Sequence, residues 1–489
     1  MGIIQRQGIK NTISSYVGIL LGFVSLIIIQ PKFLKPEEIG LARVLFAFST
    51  LVASFIPIGV TNMTIKYFPH FRNHKNGHHG FFGFMLIFPI IGFIVAAAAL
   101  FIFKDFIIAQ YRRESPLILD FYNYIFPFSL FLAFSTVITT YLISLFKSTV
   151  PSYINDVYIR IAYVGLIFLY YFGYVTLGQF IGGYVGIYTI QLLLLIFYLV
   201  RIDRPSLTVD WPFFKKQGLK EMISFGLLLS LSSIAALGLK TLDSVLIGKF
   251  LPLSFVGIYA IASFIPTIIE TPLNALDRIV TAKVAHAVVE NDMADVKDVF
   301  YKSVKYLSLI GALLFVGINC NITFLLSLVG KDFEQGYEVV WIISFGALIN
   351  MMGGANTSIL FYSSKYWQGA LLLFMLVIIT FACNMLLIPR FGINGAAMST
   401  AISSLLYTTI KLFLIYRKFG FQPYNLYTVK TIGIMLLCLA INYLLPVFDS
   451  AIANIIFRSV VLGGSFLILT YMLKIVPEFH HYLPWGSKK

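Results

Sequence analysis

From Lys10 onward the chain runs through apolar stretches of about twenty residues separated by short polar breaks, and most charged positions lie in a break or at its edge. A helix must be about that long to cross roughly 30 Å of hydrocarbon while bonding its own backbone groups. The stretches fall at 10–31, 40–66, 80–103, 121–146, 155–174, 177–200, 221–247, 254–280, 303–328, 337–362, 367–389, 392–416, 429–447 and 452–475. The pattern therefore predicts an all-α polytopic membrane protein of about 14 transmembrane helices. Arg160 and Arg458 interrupt the fifth and the last.

One break occurs twice. KFLKPEEIG at Lys32–Gly40 returns as KFLPLSFVG at Lys249–Gly257, at one constant offset (249 − 32 and 257 − 40) and without a gap. A second echo pairs GYVGIYTIQLLLL from Gly183 with GINGAAMSTAISSLL from Gly392. Six helices repeated in one orientation imply two parallel lobes related by a pseudo-two-fold axis along the membrane normal, with a site at their interface. The expected division is an N-terminal lobe 1–205, a cytoplasmic linker 206–219, a C-terminal lobe 220–420, and two further helices with a tail, 421–489.

Composition agrees with a lipid environment. Hydrophobic residues make up 59% and charged ones 12%, against about 25% charged in a soluble domain. The net charge of +15 does not indicate nucleic acid, because the cations punctuate apolar runs and do not gather on one solvated face. They act as topology signals. With the N-terminus inside, most of the 36 Lys and Arg fall inside, and only Lys32, Lys35, Lys104, Arg112, Arg113, Lys249, Lys331 and Arg390 fall outside. Both termini are then cytoplasmic. Cys320, Cys383 and Cys438 are scattered through apolar runs and form no disulfide or zinc pattern. The first run lacks a small-residue cleavage site and reads as an anchor, not a removed signal.

Ionisable groups within a span cost about 2.5–3.5 kcal/mol on insertion scales and so mark partners or wet cavities. Lys240 and Asp243 lie three apart on the seventh span, as a mutual ion pair or as functional groups. Arg43, near the outer end of the second span, and Asp243 are candidates for an outer gate. Lys240, with Arg43, is a candidate to hold an anion. Glu270, between Pro266 and Pro272, is a candidate for ion coupling, with Asp243 beside it in that role, or else a protonated structural acid. Asp277, Arg278 and Lys283 read as interface residues that snorkel to water. His70, His74, His78 and His79 read as a solvated loop, and no metal site is expected. Trp341, Tyr362 and Trp367 have the surfaces to stack on sugars, without a feature that singles them out. No Gly-x4-Gly-Lys-Ser/Thr loop is present, so ATP hydrolysis by that route is not expected and no cofactor is called for.

Pro31, Phe33, Leu34, Glu38 and Gly40 in the first outer turn resemble the polysaccharide-transport branch of the multidrug/oligosaccharidyl-lipid/polysaccharide exporter superfamily. So do Asp243, Gly248, Phe250, Leu251, Gly257, Tyr259 and Ala262, and the twelfth-span opening Phe391, Gly392, Ile393, Gly395, Ala396 and Ala397. The resemblance covers nearly the whole chain. It implies a secondary transporter, not an enzyme, that flips lipid-linked oligosaccharide on a polyprenyl diphosphate carrier across a bacterial inner membrane by alternating access. Its implied partners are that lipid, the surrounding membrane lipids, and a polysaccharide polymerase and glycosyltransferases. NALDRIVTAKVAH, from Asn274, departs from the branch's pattern, so substrate class does not carry through that segment. Two other transport readings stay open: a cation-coupled multidrug exporter and a lipid II flippase of the same superfamily. A membrane polymerase or glycosyltransferase would need an outer segment longer than the one near 104–120.

Overall fold

In lipid an apolar run can bond only to itself or to a closed sheet, and here every run is helical; among the described residues there is no strand. The computed structural model describes residues 3–203, 205–290, 292–361 and 366–475. Burial is inverted relative to a protein in water. Ile13, Leu20, Phe101, Phe197 and Leu437 are exposed, while Ser14, Ser49, Ser129, Thr380 and Asn384 are buried. Outward apolar side chains suit hydrocarbon, and among the inward hydroxyls Ser129 donates to the Phe126 carbonyl at 3.0 Å and Thr380 to the Leu376 carbonyl at 2.8 Å.

Among the described residues, twelve helices are long and apolar enough to span a membrane, or 13 with one bent pair. The expected tenth span makes the difference. It is helical over Tyr337–Met352, stops at Gly353 and Gly354, and resumes over Asn356–Phe361. Gly354 has φ +61°, a left-handed conformation that a helix cannot continue through. Hydropathy does not register such a break, because both sides of it are apolar.

The chain forms two compact units, Met1–Gly257 and Ile258–Lys489. The first contains α1 (Lys10–Phe33), α2 (Pro36–Phe55), α3 (Phe81–Ile102), α4 (Ile125–Ser144), α5 (Thr149–Tyr171), α6 (Leu177–Ile202) and α7 (Leu219–Phe250). Pro31 and Pro36 bracket the break between α1 and α2, and Glu38 accepts a hydrogen bond from the Lys35 N–H at 2.9 Å, closing the first turn of α2. Tyr170 donates to Glu38 at 2.6 Å, and the Phe33 ring packs edge-on against Phe168 and Tyr171, so the end of α5 holds this turn.

Helix α7 lies against α2. A β-carbon on Gly40 would come within 1.8 Å of the Leu253 carbonyl oxygen, and one on Gly257 within 2.1 Å of the Pro36 carbonyl oxygen. Pro36 and Leu253 stand at the same offset as the two glycines, so the repeated break packs reciprocally on its own copy. At the other end of α7, a β-carbon on Gly59 would meet the Gly226 carbonyl at 2.0 Å. Only glycine permits such approaches of backbone to backbone. Arg160 of α5 lies over Gly18 and Gly22 of α1, in space that larger side chains would fill.

The second unit holds α8 (Thr267–Val289), α9 (Met293–Asn319), α10 (Tyr337–Met352), α11 (Tyr366–Phe391), α12 (Ile393–Phe419), α13 (Leu426–Leu444) and α14 (Ala451–Met472). Helix α8 is bent by 49° from the preceding Leu253–Phe264 segment, at Ile265 and Pro266. Arg458 of α14 donates to the Asn442, Leu445 and Pro446 carbonyls at 3.1, 3.4 and 3.3 Å. It thereby caps the otherwise unbonded end of α13, which accounts for an arginine inside the last span. Cys320, Cys383 and Cys438 are free thiols.

Candidate functional site

Polar groups collect in two places within the membrane-spanning helices. In the first unit Arg43 is half-buried on α2, within electrostatic reach of the Tyr163 and Tyr184 hydroxyls on α5 and α6. Tyr184 shares a hydrogen bond with Tyr188, one helical turn further on. Their rings pack with Phe46 and Phe128 at centroid separations of 4.8 to 5.9 Å. Deeper on the same helices, Gln191 donates to Asn155 at 2.7 Å. The arrangement offers the Arg43 guanidinium, with Arg160 of α5 acting on Tyr188, several hydroxyls and broad ring faces, which suits an anionic group.

Lys240 is exposed on α7 and Asp243 half-buried on it. Gly248, further along α7, lies 3.0 Å from Val44 measured from a would-be β-carbon, so the helices bearing Arg43 and Asp243 touch at this level. The first unit thus contains Arg43, Lys240 and Asp243, and the second contains Glu270.

Glu270 belongs to the other polar collection. It is half-buried on α8 and accepts from Asn350 of α10 at 3.0 Å. Asn350 in turn accepts from Thr408 of α12 at 3.5 Å. Two turns along α8, Asp277 accepts from Ser358 at 3.2 Å, and Ser358 bonds Thr281 at 2.8 Å. On α12, Lys411 is 1% exposed and donates to Thr357, the neighbour of Ser358, at 2.9 Å with its ammonium 4.1 Å from the Tyr407 ring centre. Glu270 and Asp277 both act on it electrostatically. The interrupted tenth span supplies Asn356, Thr357 and Ser358, and the amide nitrogen of buried Asn356 has no partner among the described residues. The break at Gly353 and Gly354 is what turns these three side chains into the cluster.

Sequence reasoning missed Lys411, counting it with the basic residues that follow its span, and it read Asp277 as an interface residue. One signal was present: Lys411 falls inside the apolar stretch 392–416, where a charge is as costly as at Lys240. Lys283 is exposed and paired with Asp295 at 2.8 Å. The side chains of Arg278 and Trp367, and the whole of Tyr362, lie outside the described residues. Trp341 packs edge-on against Phe315 at 5.5 Å, as a core residue does.

The histidine loop is a structural clasp rather than a solvated loop. Gly77, His78, His79 and Gly80 all have positive φ, and the chain curls so that His78 is buried. The His79 ring stacks on Phe213 at 3.7 Å and bonds Asp210 at 3.0 Å. His74, His78 and Asp203 are close enough to hold a metal by distance. Protonation argues otherwise. The Asn73 N–H donates to Nδ1 of His78 at 3.0 Å, so Nε2 carries the hydrogen that Asp203 accepts at 2.9 Å. No lone pair on that ring is left for a cation.

Residues 31–335 match the family described as polysaccharide biosynthesis protein. No curated protein is significantly similar to the chain in sequence. In fold it is similar to the lipid II flippase MurJ in an inward closed conformation, with TM-score 0.75, 12% identity, 95% of this chain and 98% of that one covered. It is also similar to a multidrug resistance MATE family transporter of the MOP superfamily, inward-facing, with TM-score 0.65, 12% identity, and 82% and 94% covered. An outward-facing MATE family transporter aligns with TM-score 0.52, 15% identity, and 86% and 95% covered. A sequence match over more than half the chain, on a helical fold shared with flippases and exporters, makes this chain a member of the polysaccharide biosynthesis protein family, in the polysaccharide-transport branch of the multidrug/oligosaccharidyl-lipid/polysaccharide exporter superfamily.

Proposed function

We propose that the chain flips a lipid-linked oligosaccharide, a polysaccharide repeat unit on a polyprenyl diphosphate carrier, across a bacterial inner membrane. The observation that carries this reading is a polysaccharide-family match on a chain whose fold is that of flippases and exporters. A family tied to polysaccharide assembly but built as a transporter has a carrier-bound glycan as its natural cargo. The polyprenyl tail stays in lipid, and only the charged diphosphate and the sugars need a polar route. Arg43 holds the diphosphate among the tyrosines of the first unit, Lys240 supplies a second cation, and Arg43 with Asp243 forms a gate. No covalent chemistry is required of the protein, and a polymerase and glycosyltransferases act before and after it.

Tracking radiolabelled polyprenyl-linked oligosaccharide in cells lacking the gene tests the reading. Completed units are expected to accumulate on the inner face, and again in cells carrying only Lys240→Ala or Arg43→Ala. Absence of accumulation in the null strain would favour a cation-coupled multidrug exporter, the reading suggested by the MATE-like fold. For the gate, a charge swap of Arg43→Asp with Asp243→Arg should restore part of the activity that either single change removes.

A further inference from the structure

We propose that Lys411 is a built-in cation, its buried ammonium serving the two acids of α8, Glu270 and Asp277, in place of a free metal ion, and that the proton is the ion this cluster exchanges. The geometry points this way from three helices. Helix α8 brings both carboxylates, α12 brings the ammonium, and the broken tenth span brings only neutral groups, Asn350, Asn356, Thr357 and Ser358. Tyr407 faces the ammonium from its own helix, and α11, packed along α12, carries Cys383 and Arg390 in its second half. A buried ammonium with one hydroxyl partner at 2.9 Å and an aromatic face needs negative charge nearby, and the two acids of α8 supply it.

Charge balance then fixes what can be exchanged. Two carboxylates against one ammonium leave a single negative charge in a partly buried site, and one proton on a carboxyl oxygen cancels it. When water reaches the cluster, that proton passes to a water molecule and leaves a carboxylate; reloading from water on the other face reverses the step. A metal cation would have to displace a tethered one.

Although the role in transport rests on the flippase reading, cation binding is measured without substrate, so the two fail separately. The purified full chain in detergent is melted in sodium chloride and in choline chloride of equal ionic strength. The native chain should show one Tm in both salts. Lys411→Ala vacates the buried space beside Thr357 and leaves the charges of Glu270 and Asp277 without their cation, and sodium but not choline should raise its Tm by roughly 3 °C or more. Sodium stabilisation of the native chain, or a folded Lys411→Ala chain indifferent to sodium, would overturn the proposal. If Lys411→Ala does not fold, Lys411→Met combined with Asp277→Asn removes one charge of each sign. Its Tm should respond less to pH than that of the native chain, and an unchanged response counts against the cluster.

Discussion

Asp203 is almost wholly buried, yet it accepts hydrogen bonds from His78 at 2.9 Å and Tyr141 at 2.8 Å, with His74 at 3.2 Å on the same oxygen as His78. Burial alone would raise its pKa, but the bonds donated by His78 and Tyr141, together with the neighbouring His74, outweigh burial and hold it below the ordinary aspartate value. Asp203→Ala strands both donors in the core, and a loss of about 2–3 kcal/mol is expected as a lower Tm. A depressed carboxylate contributes stability above its unfolded pKa, about 3.9, and loses that contribution as pH falls through the folded value. The Tm difference between native and Asp203→Ala chains should therefore be full near neutrality and shrink only in acid below about pH 4. A difference that disappeared near pH 6 would put the histidines, not Asp203, in control. Little of this was legible in HFRNHKNGHHG, because the partners Asp203 and Asp210 lie more than a hundred residues away. Lys411 was hidden differently: its neighbours Arg417 and Lys418 made it look like one more basic residue at a cytoplasmic helix end.

Helix placement was more readable than helix contact. The spans follow from hydropathy because lipid imposes one length, and the copied break follows from its constant offset. That the two copies would pack on each other, glycine to glycine, needed coordinates. Gly40 and Gly257 approach the opposite backbone too closely for any side chain, so Gly40→Val or Gly257→Val must part α2 from the turn after α7. Val44, 1% exposed and set against Gly248, reports the separation. In a Val44→Cys background either valine should raise labelling by a membrane-impermeant maleimide several-fold. Unchanged labelling would mean that the glycines only relieve crowding and do not hold the contact closed. The break in the tenth span had a sequence signal as well, the Gly-Gly pair before Asn356, but an apolar run on each side of it reads as one continuous helix.

For the molecule as a whole, the inverted burial pattern and the positions of the basic residues make one joint statement about orientation. The apolar exterior fixes that the helices span, while Lys and Arg decide which end faces the cytoplasm. The clasp between the histidine loop and the linker carries Arg72, Lys75, Arg201, Lys215 and Lys216 on one side, whereas the repeated break and the segment with Arg112 and Arg113 lie on the other. Basic residues cost more to translocate than to leave behind, so the clasp side should be cytoplasmic. Alkaline phosphatase fused after Arg113 should be active and a fusion after Lys216 inactive, with fluorescent-protein fusions at the two sites giving the opposite result. Activity at Lys216 would invert the molecule. Arg43, which lies on α2 toward the repeated break, would then face the cytoplasm, and the gate would close the side from which the glycan loads rather than the side on which it leaves.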